Sequence, residues 1–121
     1  VLRCRMNETE LKKLCVEMIR KEFLQIRITR MQCGTVVAKG GRRIKLADAG
    51  WPDYLGYTNA GKSVAIEAKA PNSRPRKDQP EQDARLADMV ACGCLVLRVN
   101  SVEECRNQIR AALEVMRCEV V

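Results

Sequence analysis

Asp53, Glu67 and Lys69 are the residues of this chain whose types and spacing suit the hydrolysis of a phosphodiester. Pro52-Asp53 is followed, fourteen positions from carboxylate to carboxylate, by Glu67-Ala68-Lys69. Two carboxylates and an amine so arranged can hold a divalent cation beside a phosphate ester. Mg²⁺ prefers oxygen ligands, usually takes only one or two carboxylates, and completes its shell with water and substrate phosphate. Such an ion polarises a phosphoryl oxygen and activates water. Asp53 and Glu67 are the candidate ligands, with the backbone carbonyl of Ala68 as a further one. Lys69 could orient or deprotonate the attacking water, or offset charge on the pentavalent phosphorus. The chain has no histidine, which removes Ser-His and Cys-His nucleophilic machinery. Hydrolysis here falls to carboxylates, lysine and metal.

The run Ser63 to Lys69 reads as a short strand between Asn59-Ala60-Gly61-Lys62 and Pro71. Alternation puts Glu67 and Lys69 on one face, and Val64, Ile66 and Ala68 on the other. Charged groups on an otherwise apolar strand conflict with its burial, a conflict expected at functional sites. The simpler reading is a solvated strand face carrying a surface ion pair. Asn7 with Glu10 predicts a capping box and a first helix of about 18 residues. Its apolar face is Leu11, Leu14, Cys15, Met18, Ile19 and Phe23. Ile26 to Val37 predicts one strand, Lys39 to Lys45 a basic, glycine-containing connection, and Tyr54 to Tyr57 a further strand. Pro71 to Lys77 is basic and too proline-rich for a helix or an inner strand. A helix from about Pro80 to Cys92 ends at Gly93, and Leu95 to Val99 is a compact apolar strand. Ser101 with Glu104 opens a last helix through Val102, Cys105, Ile109, Leu113 and Met116. The order αβββαβα predicts one α/β domain over residues 1–121, its last strand parallel to the Glu67 strand.

The 121 residues carry 22 Lys and Arg against 15 Asp and Glu, a net charge of +7. That balance favours an anionic partner, nucleic acid before an acidic membrane surface. No apolar run approaches the ~20 residues of a membrane span. No secretory h-region precedes the first helix, which predicts a cytoplasmic setting. The odd count of seven cysteines argues against a disulfide framework. Cys15 and Cys105 fall at apolar helix positions, where Cys acts as a small hydrophobe. Cys92 and Cys94 lack the second pair or histidine of a structural zinc site. One Trp, two Tyr and one Phe are too few for a base-stacking single-strand binder.

Gly50-Trp51-Pro52-Asp53 and Ile66-Glu67-Ala68-Lys69 resemble the signature of the PD-(D/E)xK nucleases. Pro80-Glu81-Gln82, Gly93 and Val99-Asn100-Ser101-Val102-Glu103-Glu104 narrow the resemblance to the VRR-NUC family of small phage and bacterial nucleases. It runs from Glu8 to about Glu104 and implies a restriction-endonuclease-like core, a small mixed sheet flanked by helices. It also implies a catalytic place for Gln82 and a helix-borne glutamate near the metal. Glu8 fits that place best, with Glu10 assigned to the capping box, although Lys12 stands where the family commonly has glutamine. A first-turn carboxylate favoured by the helix dipole is the plainer reading of Glu8. Arg30 and Gly34 resemble an arginine-x-asparagine-x-glycine segment in which Gln32 replaces the asparagine. A phosphate contact is the simplest role for Arg30, and likewise for Arg42, Arg43 and Lys45 and for Arg74, Arg76 and Lys77. The activity implied is a DNA endonuclease using Mg²⁺, with Mn²⁺ able to substitute. It implies a homodimer resolving four-way junctions in a bacterial or phage-infected cell, without a membrane or an organic cofactor. The alternatives are a nuclease of flapped, nicked or ordinary duplex DNA, and a catalytically silent DNA-binding domain. Retention of Asp53, Glu67 and Lys69 together speaks against the silent domain.

Overall fold

Asn7 caps the first helix by accepting the Glu10 N–H on Oδ1 at 2.8 Å, satisfying a donor that a helix start leaves unpaired. The computed structural model describes residues 6–31, 35–45, 50–71, 74–75 and 77–119. In chain order the elements are α1 (Glu8–Glu22), β1 (Ile26–Arg30), β2 (Thr35–Val37), β3 (Arg43–Lys45) and β4 (Tyr54–Thr58). They continue with β5 (Ser63–Ala68), α2 (Gln79–Ala91), β6 (Leu95–Val99) and α3 (Val102–Glu119). Four strands form a mixed sheet in the order β1-β4-β5-β6. The first three pair antiparallel, while β5 and β6 run parallel with Glu67 opposite Arg98. The parallel pair follows from the crossover through α2.

Val64, Ile66 and Ala68 of β5 share one buried cluster with Leu11, Cys15 and Ile19 of α1, Leu97 of β6, and Cys105 and Ile109 of α3. The thiols of Cys15 and Cys105 are neighbours within it. Leu86 and Gln82 are the buried residues of α2, which packs on the opposite face of the sheet, where alternation directs Ala65 and Glu67. All five residues from Val64 to Ala68 are therefore buried. Burying each large apolar side chain is worth roughly 1.5–3 kcal/mol, enough in sum to hold a strand that carries a costly buried carboxylate. The reading of Glu67 as part of a solvated face is thereby corrected: its side chain is 1% exposed.

The strand expected from Ile26 to Val37 ends at Arg30. Its ladder with β4 closes where the Met31 N–H reaches the Asp53 carbonyl at 2.8 Å. The Asp53 N–H is not returned to Met31 but donates to Glu67 Oε2 at 3.0 Å, so the exchange of bonds that would continue the ladder stops there. The expected connection from Lys39 to Lys45 instead contains a strand. β2 and β3 form a separate two-stranded sheet, turned at Gly40 and Gly41 with φ of +96° and +83°, a conformation that favours glycine. The cap of α3 forms at Ser101, whose Oγ accepts the Glu104 N–H at 3.0 Å, while Glu104 Oε2 reaches back one residue further than a capping box requires, to the Asn100 N–H at 3.3 Å. Gly93, at φ +90°, follows the last turn of α2 and donates to the Val90 carbonyl.

Candidate active site

Antiparallel pairing of β4 with β5 sets Tyr54 opposite Ile66, which brings the residue before β4 beside the end of β5. Asp53 and Glu67 meet there, each carboxylate held by a backbone N–H across from it. The Asp53 N–H donates to Glu67 Oε2 at 3.0 Å, and the Ala68 N–H donates to Asp53 Oδ2 at 3.1 Å. Each carboxylate thus has one oxygen tied to a peptide and one directed elsewhere. Glu67 Oε1 is buried and has no hydrogen-bond partner among the described residues. Asp53 Oδ1 receives the Lys12 ammonium at 2.9 Å. Burial pushes the Glu67 carboxyl up to about 7, and the neighbouring Asp53 charge adds to that rise. The Asp53 N–H, the Gln82 side chain and the Lys12 charge oppose it without cancelling it.

α2 supplies the other wall. Gln82 is 2% exposed and faces the Glu67 carboxylate. The Lys69 ammonium donates to Gln79 Oε1. Gln79 Nε2 donates to Asp83 Oδ1 at 2.8 Å, and Arg98 closes the chain on that same oxygen at 2.6 Å. Gln79, Gln82 and Asp83 lie three and four apart, on one helix face. Lys69 and Glu67 line a small cavity with Arg98, Asn100 and Glu104. The loop before Asp53 is fixed against α2. Gly50 has φ +94°, and a Cβ there would sit 3.2 Å from the Glu81 carbonyl carbon. The Arg85 guanidinium lies 4.2 Å from the centre of the Trp51 ring, a cation–π contact.

Asp53, Glu67, the Ala68 backbone, Lys69 and Gln82 are brought together at one end of the sheet. Glu8 stands beside them differently, 3.8 Å from the Lys12 ammonium on its own helix. Among the described residues no three His, Cys, Asp or Glu side chains converge on a common metal position. Arg30 is exposed and lines a groove of about 490 Å³ with Lys12, Lys13, Arg20 and Tyr54. Arg42 and Arg43 are exposed on the β2–β3 hairpin, and Arg74 and Lys77 are exposed before α2. The Lys45 side chain, Gln32, Gly34 and Arg76 lie outside the described residues. The reading of the sequence missed Gln79 and gave Lys12 no role. The signal for Gln79 was its place one helical turn before Gln82, and that for Lys12 its place four residues after Glu8.

A solved structure described as a VRR_NUC domain is similar to this one, with a TM-score of 0.56 and 22% identity over 85% of this chain and 94% of that one. The chain has the VRR_NUC fold. No family model matches the sequence, and no curated protein does. Within the VRR_NUC fold the chemistry open to this site follows from its donors. Two carboxylates and a peptide carbonyl suit a hard, oxygen-seeking divalent cation, which usually needs no third carboxylate. The unpartnered Glu67 Oε1 is the observation that fits it. A buried, ionisable oxygen without a donor is costly, and a cation would satisfy it.

Proposed function

We propose that this protein is a divalent-metal-dependent endonuclease that hydrolyses phosphodiester bonds in DNA. The observation that carries the reading is the backbone lock that ties Glu67 to the Asp53 N–H and Asp53 to the Ala68 N–H, with Glu67 Oε1 buried and without a hydrogen-bond partner among the described residues, beside a lysine-bearing strand end. Asp53, Glu67 and the Ala68 carbonyl would hold Mg²⁺, with Mn²⁺ as a substitute. The bound ion would supply Lewis-acid activation of the phosphate and of water. The chain's own residues do the rest. The Asp53 and Ala68 peptides fix both carboxylates, so that little reorganisation is needed at the moment of reaction. Gln82 steadies Glu67 from α2. Lys69, oriented through Gln79, offsets the charge that grows on the phosphoryl oxygens. Cations of the α1 groove and the exposed arginines hold flanking phosphates without reading sequence.

The finer reading, a homodimer that cuts four-way junctions, rests on the resemblance of the motif set. A closed twofold assembly would present two identical sites for paired incisions. The test is a labelled panel of junction, flap, nicked and linear duplex, incubated with Mg²⁺, with Mn²⁺ and with chelator. Cleavage in either metal and none in chelator is expected, with the junction cut first. Binding without cleavage in every metal would overturn the nuclease reading. Equal cutting of junction and linear duplex would leave a general nuclease in place of a resolvase.

A further inference from the structure

Lys12 belongs to two places at once. Its ammonium sits 2.9 Å from Asp53 Oδ1 and 3.8 Å from Glu8, on the one Asp53 oxygen that the backbone does not occupy. The same side chain lines the groove between α1 and the β1–β4 edge, with Lys13, Arg20, Arg30, Glu17 and Tyr54. The groove thus gathers four cations against one carboxylate, and Tyr54 directly follows Asp53 in the chain. A monovalent cation on a flexible stem therefore stands where a divalent ion held by Asp53 and Glu67 would need its ligand. Side-chain exposure of 21% leaves Lys12 room to turn toward the groove. We propose that Lys12 is a built-in counter-ion that competes with the divalent cation for Asp53 and is drawn off by a nucleic-acid phosphate in the α1 groove, so that DNA and metal bind cooperatively.

The proposal rests on the nuclease reading above. Glu8 has a part in it: 3.8 Å from the ammonium and one helical turn away, it biases Lys12 toward the site when no phosphate is present. Because coupling between two ligands is reciprocal, DNA would raise metal affinity by the same factor as metal raises DNA affinity. An isolated chain would hold metal weakly and take it up on meeting its substrate. Lys12 is on this account a positioning residue, acting through Asp53.

The test is Mn²⁺ affinity, followed by electron paramagnetic resonance of the free ion. Lys12→Gln is expected to bind Mn²⁺ about tenfold more tightly than wild type, within the usual range of coupled sites, whereas Lys12→Arg, which keeps the charge, stays near wild type. In a Lys69→Ala background, used so that cleavage is slow beside the binding measurement, a 20-base-pair duplex is expected to tighten Mn²⁺ binding about tenfold with Lys12 present. With Lys12→Gln added, the duplex should change it less than about twofold. Unchanged or weaker Mn²⁺ binding by Lys12→Gln would overturn the proposal, as would an undiminished DNA effect. Asp53→Asn separates the two levels. If it weakens Mn²⁺ binding while Lys12→Gln changes nothing, the metal site stands and the role of Lys12 falls. If Asp53→Asn leaves Mn²⁺ binding intact, both fall together.

Discussion

Glu67 concentrates the cost and the use of this site in one side chain. Its carboxyl is buried, raised to about 7 by desolvation and by Asp53, and half unpaired. The unfolded chain would ionise it near the ordinary value, 4.5, so the metal-free fold binds the proton more tightly than the unfolded state does. Its contribution to stability is therefore full below about pH 4.5, falls as pH rises, and is lost above about pH 7. At pH 8 the ionised group costs the fold on the order of 3 kcal/mol. Glu67→Gln should accordingly stabilise the metal-free protein at pH 8 by about that amount and do little at pH 4, as read by urea unfolding in chelator. The same variant should lose Mn²⁺ binding and cleavage. Equal stability of the two proteins across this range would contradict the assigned burial cost. Glu67 and Lys69 were legible in the sequence because their charge conflicts with an apolar strand, and Asp53 by its place after Pro52, fourteen residues before Glu67. Which oxygen meets which peptide was not, since that depends on a strand register set fourteen residues apart. Lys12 was hidden for a related reason: on a helix surface a lysine reads as solvated, and only packing of α1 against β1 and β5 turns it onto Asp53.

Elements position these groups through close backbone approaches, and glycines allow them. Gly56 in β4 faces β1 so closely that a Cβ would lie 1.8 Å from the Arg27 carbonyl oxygen. Gly56→Ala must push β1 off the sheet edge, and a loss of about 1–3 kcal/mol is expected, measured as a lower unfolding midpoint. Retention of wild-type stability would mean that β1 and β4 do not pair in this register. The helix boundaries were largely legible, because Asn7 and Ser101 with their acidic partners are local signals. Removing the Ser101 cap by Ser101→Ala should cost about 1 kcal/mol and leave cleavage intact. The end of β1 was not legible locally. It lies where the Asp53 N–H turns to Glu67 Oε2 instead of back to Met31, and no pattern within Ile26 to Val37 records that. The same break frees the chain to form the β2–β3 hairpin, whose Gly40-Gly41 turn was visible as composition but not as a pair of strands.

At the scale of the whole molecule, the excess of seven positive charges is distributed so that the α1 groove, the β2–β3 hairpin and the segment before α2 all carry exposed cations. Arg30→Ala and Lys13→Ala should each weaken DNA binding for every sequence alike and lower the salt slope by about 0.9, as titrated by fluorescence anisotropy in chelator. A sequence-dependent loss would indicate base contacts instead. The α/β order and the parallel last strand followed from the order of apolar periods, whereas the placing of α1 and α3 on one face and α2 on the other was not read from them. The placing of the carboxylate pair against α2 followed less directly, since Gln79, Gln82 and Arg85 act by a helix packing that periodicity alone leaves open. If the locked pair and Lys69 carry out metal-dependent hydrolysis as proposed, single-turnover cleavage of a labelled four-way junction will depend on both the metal and the lysine. Wild type in Mg²⁺ should cut, wild type in chelator should not, and Lys69→Ala in Mg²⁺ should be slower by about 10²–10³-fold. Cleavage by Lys69→Ala at the wild-type rate, or cleavage that survives chelation, would contradict the account.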